Sequence, residues 1–242
     1  MAFPEWAIYT LLLIGSYLVG SFPTGFVLGK ILKKIDIREF GSGNTGFSNV
    51  YRTLGKGPAI ITIIGDVVVK GGMVAWAARI LIAFTVIKDI PDTKYVYTLG
   101  FIEPIPQMFV SIAGILAICG HNWPVWLKFK GGKGMATTAG IFICFVPITA
   151  LGLTIVWFIV VFTTKYTSLA NIVTTPTLPI FIFLETFFIM QFDILTCIPL
   201  IVGGLVAGLL LLWSHRENIG RLKSGNERKF GDKSERIENT KL

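Results

Sequence analysis

Of the 242 residues, 53% are hydrophobic and only 15% are charged, and the mean hydropathy is +0.70. A soluble domain of this length needs far more polar surface to cover its core, so the composition excludes an ordinary globular protein. The net charge of +8 would suggest nucleic acid in a soluble chain; here the basic residues lie between and after apolar runs, where membrane topology and anionic headgroups account for them, and no nucleic-acid partner is expected.

The first apolar run covers about residues 6–28. No basic stretch precedes it, so it is expected to stay as a spanning helix rather than act as a cleaved leader. A basic loop, 30–57, follows. The second run, about 58–87, carries Asp66 and Lys70 at i, i+4, where they can pair on one helical face. Ionisable groups at membrane depth are functional candidates, and here a mutual, structural brace is expected. A loop of mixed charge, 88–106, leads to a third run, about 108–127, which contains His121 and Asn122. Residues 128–134 form a short stretch with three lysines. From 135 to about 213 the chain is almost wholly apolar, interrupted at Pro147, 163–168, Pro176, Pro179 and Asp193, and from His215 it is polar. Cys119, Cys144 and Cys197 lie in apolar runs without metal-ligand spacing, so they read as packing residues, and no metal site is expected.

The excess of lysine and arginine places three segments on the cytoplasmic side: 30–57, 128–134 and the tail. The N-terminus and 88–106 then lie outside, and the chain must cross an even number of times between 134 and 215. Splitting 135–162 into two helices near Pro147 satisfies this parity with seven spans, and one stretch that fails to cross would satisfy it with five; seven is favoured because 28 residues are long for one span. The expected fold is an all-α polytopic membrane protein of about seven transmembrane helices with three functional cytoplasmic segments. Residues 1–214 form the transmembrane catalytic domain, including loops 30–57 and 128–134. Residues 215–242 form a cytoplasmic segment whose end is expected to be flexible.

All three cytoplasmic segments carry groups suited to phosphate. The first reads Gly41-Ser42-Gly43-Asn44-Thr45-Gly46-Phe47-Ser48, with Arg52 four residues on. Small and hydroxyl residues admit an oxyanion close to the backbone and offer N–H and O–H donors, and Arg52 adds a bidentate fork. Gly41, Gly43, Asn44, Thr45 and Ser48 are therefore expected to bind substrate. The G-x-G-x-x-G spacing also matches a dinucleotide fingerprint, which has meaning only inside a βαβ unit; here a membrane span follows instead. The second segment, Gly131-Gly132-Lys133-Gly134, directly precedes an apolar helix, so N–H groups, helix dipole and a point charge can combine there. In the third, His215, Asn218 and Arg221 recur every three residues and share one side if the last helix continues through them.

The motifs G-S-G-N-T-G, G-G-K-G-M-A-T and H-R-E-N-I-G-R-L-x-x-G-x-E, in this order, resemble those of the bacterial acyl-phosphate-dependent glycerol-3-phosphate acyltransferases (PlsY). Asp66-x-x-x-Lys70-Gly71 and Gly120-His121 are similar too, so the resemblance spans about residues 20–229. It implies a seven-helix enzyme of the bacterial inner membrane with Ser42, Arg52, Lys133, His215 and Asn218 in active-site positions. It also implies that Gly131, Gly132 and Gly134 help bind glycerol 3-phosphate and that Glu227 is structural; Arg221, on the side shared with His215 and Asn218, is expected to bind substrate as well. The chain departs from the family at Phe47-Ser48, where Ala-Thr is usual, and looks longer around 88–106 and 174–193.

The implied reaction moves a fatty acyl group from acyl phosphate to glycerol 3-phosphate, with no cofactor. The bilayer and the soluble enzyme that makes acyl phosphate are the expected partners. An acyl phosphate is already activated, so Ser42 is read as a ligand rather than a nucleophile, with Arg52, Lys133 and His215 neutralising phosphate charge. Either His215 or a substrate phosphate accepts the proton. Neither His121 nor His215 is followed five residues later by Asp, which argues against the H-x-x-x-x-D acyltransferases that use thioesters. The competing reading is a transporter of a phosphorylated anion, which would place its charges and helix breaks near the midplane.

Overall fold

The computed structural model describes residues 4–86, 104–232 and 236. The loop expected at 88–106 therefore lies almost entirely outside the described residues, as does the end of the tail. What is described is helical throughout, apart from an isolated β-bridge between Phe40 and Arg236.

The first apolar run is interrupted. Helix α1 (Glu5–Gly20) stops before Pro23, whose ring removes a backbone donor, and α2 (Thr24–Lys33) carries on to a left-handed C-cap at Lys34. The segment expected as a loop up to residue 57 is largely ordered helix, with a 3₁₀ turn at Ile37–Glu39, α3 (Phe47–Leu54) and the start of α4 (Lys56–Ile64). A π-helical stretch (Gly65–Met73) joins α4 to α5 (Val74–Val86). The wider turn is typical of functional positions, and this one carries Asp66 and Lys70. Then come α6 (Pro104–Asn122), α7 (Met135–Phe145), α8 (Pro147–Thr164), α9 (Thr167–Thr174), α10 (Leu178–Leu184) with a π-helical turn (Glu185–Ile189), α11 (Ile194–Ser214) and α12 (Arg216–Lys223). The apolar stretch after 135 divides at Val146–Pro147, where the sequence places a break. Helix α11 does not run on through the third motif: it ends at Ser214, and His215 separates it from α12.

Five of these units are long and apolar enough to cross a membrane: Glu5–Lys33, Lys56–Leu81, Gln107–Leu127, Pro147–Thr164 and Ile194–Ser214. The pair Thr167–Thr174 and Leu178–Ile189, bent by 49°, makes a sixth if it is one span. Helix α7 is apolar but has only 11 residues.

Helices packed in lipid gain no hydrophobic drive from association and rely on close backbone approach through small residues. Gly20 lies against the backbone of Ala117, and Gly120 against that of Tyr17, which draws α1 onto α6. Gly71 and Gly140 bring the π-helical stretch onto α7, where a Cβ on Gly140 would run into the Val67 carbonyl. Buried Val110, Ile118, Ile141, Phe145 and Leu200 fill the centre, while Trp6, Ile155, Phe162, Phe188 and Leu209 point outward. A smaller core of Ile37, Val50 and Ala59 holds the first motif against α4. Buried Glu185 accepts from the Ile148 and Thr149 N–H groups at 3.1 and 2.6 Å and so caps α8 from a neighbouring helix.

Candidate active site

The first motif is shaped by a residue the sequence reading passed over. Buried Asn49 accepts from the Ser42 N–H (2.9 Å) and donates to the Asn44 and Ile37 carbonyls (2.8 and 3.1 Å), so one side chain closes the loop. Gly41 and Gly43 take φ values of 56° and 70°, the left-handed region glycine tolerates, and the turn aims Ser42 and Asn44 inward. Helix α3 then presents Ser48 and Arg52, one turn apart.

The second motif is hung from the end of α6. Gly132 N–H donates to the His121 carbonyl (2.9 Å) and Gly131 N–H to the Asn122 carbonyl (3.1 Å). His121 belongs in turn to a buried cluster: Lys70 Nζ is 2.6 Å from Asp66 Oδ1 and donates to His121 Nδ1 at 3.2 Å. The expected Asp66–Lys70 pair therefore has a third member, and that member carries the lysine loop. Gly131 and Gly132 pack closely on this member. A Cβ on Gly132 would collide with His121 Nε2, and one on Gly131 with the His121 carbonyl and Pro124, so their smallness serves packing on His121. Gly134, at φ 80°, opens α7 and lines the site.

The third motif meets the second. Lys133 Nζ donates to Asn218 Oδ1, Asn218 Nδ2 donates to Glu227 (2.7 Å), and Glu227 also accepts from Arg221 Nε at 2.8 Å. His215 is fixed by partners whose roles are unambiguous. Its Nδ1 faces the Leu211 carbonyl (2.8 Å), which can only accept, so Nδ1 carries the proton. Trp157 Nε1 donates to Asn171 Oδ1 (2.6 Å), which turns the Asn171 amide nitrogen toward His215 Nε2 at 2.9 Å. Burial pushes the His215 pKa down to about 4. The imidazole is thus neutral and its free lone pair is already engaged. A neutral imidazole offers phosphate a hydrogen bond rather than a charge, which bears on the charge-neutralising part expected of His215 from sequence. Burial, with Arg221 next, lowers the Lys133 pKa to about 8.

These elements enclose a cavity of about 350 Å³. Its polar end is lined by Ser42, Asn44, Ser48, Arg52, Lys133, Gly134, His215 and Asn218, and Asp66, His121 and Glu227 also border it. Gly41, Gly43, Thr45, Gly131, Gly132, Lys70 and Arg221 are not among the lining residues. The structure adds Thr167, Ser168 and Asn171 at the start of α9. Ser168 is buried with its Oγ unpartnered, and Thr167 Oγ1 lies 3.4 Å from Ser48 Oγ. The signal for Thr167 and Ser168 in the sequence is a polar interruption at 163–168, which stops short of Asn171. Arg52 Nε is likewise buried without a partner. Beyond the polar end the walls become apolar: Phe142, Ile143, Ala150, Leu153, Trp157, Phe158 and Leu178.

A helical bundle of membrane-crossing length, with a cation-rich pocket that opens into an apolar cleft, defines an integral membrane protein built for an amphipathic anion. The family profile described as Glycerol-3-phosphate acyltransferase matches residues 10–225, and the chain belongs to that family. It is similar to the glycerol-3-phosphate acyltransferase of Gloeobacter violaceus, at 38% identity over 94% of this chain and 98% of the relative. A Prochlorococcus marinus protein of the same name is 41% identical over 91% of this chain and 96% of its own length. Among solved structures, PlsY (YgiH), an integral membrane glycerol 3-phosphate acyltransferase, in its glycerol 3-phosphate form superposes with a TM-score of 0.73 at 32% identity, covering 92% of this chain and 96% of that one. Its lysophosphatidic acid form gives 0.69 at 30% identity, covering 92% and 95%.

Proposed function

We propose that the chain transfers a fatty acyl group from acyl phosphate to glycerol 3-phosphate, giving lysophosphatidic acid and inorganic phosphate. The observation that carries this reading is the division of the cavity. Arg52 and Lys133 meet Ser42, Ser48, Ser168 and Asn218 at one end, and aromatic and aliphatic walls continue from the other. A phosphate with an acyl tail matches both ends.

In the proposed reaction a hydroxyl oxygen of glycerol 3-phosphate attacks the acyl carbon, the bond from that carbon to the phosphate oxygen breaks, and phosphate leaves with the electron pair. Lys133 and Arg52 hold the negative charge, and the hydroxyl and amide groups supply neutral donors. With a pKa near 4 and its lone pair on Asn171, His215 is a weak base at neutral pH. The proton therefore goes to a phosphate oxygen, and His215 positions Asn171. Ser42 binds and does not attack. Asp66, Lys70 and Glu227 are support.

The membrane arrangement follows. The five long helices and the bent pair account for six crossings, and we take α7 as the seventh, with the N-terminus outside and both the tail and the 30–57 and 128–134 segments in the cytoplasm of a bacterial inner membrane. The membrane domain, 1–214, and the segment from 215 on build the site together. Helix α7 is about 16 Å long at 1.5 Å per residue. That is shorter than the hydrocarbon core, so the Lys133 loop sits deep, at the level of an acyl phosphate headgroup. The soluble enzyme that makes acyl phosphate would deliver its product there.

Sealed vesicles given labelled glycerol 3-phosphate and acyl phosphate test this against transport. The label should become lipid extractable into organic solvent. Label that accumulates in the lumen unchanged would favour a transporter instead.

A further inference from the structure

The chain after α12 turns back across the site, and what it carries there is unused by the mechanism above. Residues 225–232 run between two left-handed glycines, Gly225 (φ 72°) and Gly231 (φ 97°), and are anchored on both sides of one arginine. Before it, Glu227 accepts from Asn218 and Arg221. After it, Phe230 N–H donates to the Lys165 carbonyl between α8 and α9 (2.7 Å), and its ring stacks on Tyr51 and Phe47 of α3 at 4.9 and 6.2 Å between centroids. Lys229 Nζ lies 5.8 Å over the Tyr166 ring. The strap is thus tied to α12, to the α8–α9 turn and to the helix that bears Arg52.

The residue between the anchors, Arg228, lines the cavity. Among the described residues it has no hydrogen bond or ion pair. Arg52, whose Nε is also unpartnered, lines the same cavity. The like charges of two guanidinium groups repel in a partly buried pocket, and the carboxylates of Glu227 and Asp232 offset this only in part. Burial first, and Arg228 next, draw the Arg52 pKa down.

Resting on the proposed function, we infer that Arg228 is a further substrate-binding residue, strapped over the polar end of the cavity as a second guanidinium for a phosphate dianion. Two forks, from Arg52 and Arg228, can grip different oxygens of one phosphate, which lysine alone cannot do. The phosphate belongs either to glycerol 3-phosphate or to the acyl donor.

Two measurements on the purified full chain test this. In the first, inorganic phosphate is titrated against thermal unfolding. In the second, each substrate is varied in turn at saturating levels of the other. Arg228→Ala should weaken phosphate protection and raise KM for one substrate by about fivefold, leaving kcat within about twofold, since the contact is uniform binding by a partly buried charge. The substrate affected names the phosphate. Arg228→Lys should recover part of the loss. Lys223→Ala, which removes one exposed charge from α12, should match wild type. Arg228→Ala with wild-type phosphate protection and both KM values unchanged would overturn the inference, as would a fall in kcat alone. Phosphate protection is read without turnover, so an inactive wild type would sink only the acyl-transfer reading.

Discussion

Lys133 is held under opposing demands: its loop and Asn218 bury it, yet binding phosphate needs its charge. A lysine shifted from 10.5 to about 8 loses its proton as pH rises through 8 in the free protein, so kcat/KM should fall above that pH. Stability moves the other way. Folding disfavours the charged form, so the cost of burial is present below pH 8 and relieved between 8 and 10.5. Lys133→Ala should lower kcat/KM at pH 7 by at least about tenfold. Lys133→Arg should recover only part of it, because a planar fork fits a tight glycine loop poorly, but should flatten the alkaline limb. An unchanged alkaline limb in Lys133→Arg would detach the limb from this residue. The glycines beside Lys133 carry a different expectation from the one sequence suggests. Gly131→Ala and Gly132→Ala force His121 or the loop to move, at about 1–3 kcal/mol, and so should lower the melting temperature as well as raise KM. A normal melting temperature with a raised KM would restore the simpler view, in which the glycines only make room for ligand.

Among the elements, the π-helical stretch and the end of α6 act together. Asp66, Lys70 and His121 are buried and mutually bonded. Removing one charge leaves another unpaired at membrane depth, typically about 3–5 kcal/mol, so Asp66→Asn or Lys70→Met alone should destabilise more than the two combined. Urea unfolding of the four-member cycle checks this, and strict additivity would mean the pair is uncoupled. Legibility in the sequence follows from the same contrast. The Asp66–Lys70 spacing lies within one helix and is readable from i, i+4 periodicity, as is the break at Pro147. His121 joining them across 51 residues is not, nor is Glu185 capping α8 from 36 residues away. Those contacts exist only once helices pack. The three motifs were readable because each is local, and Ser168 and Asn171 were missed because a short polar patch looks like an ordinary helix connection.

At the scale of the molecule, hydropathy and lysine distribution carry most of the architecture, since the bilayer leaves few alternatives to helices. Length is where they fall short: α7 is too short to register as a span, and the bent α9–α10 pair counts as one only when its two halves are taken together. Cysteine labelling in intact cells, in a variant otherwise lacking cysteine, should leave positions 42 and 225 protected from an outside-only reagent; strong labelling at either would reverse the orientation. The central claim is tested most directly by following phosphate and lipid together in purified protein supplied with acyl phosphate. Addition of glycerol 3-phosphate should release one phosphate for each lysophosphatidic acid formed, and Lys133→Ala should lower both in step. Folded protein that releases no phosphate on adding glycerol 3-phosphate, or that makes the lipid only from an acyl thioester, would contradict it.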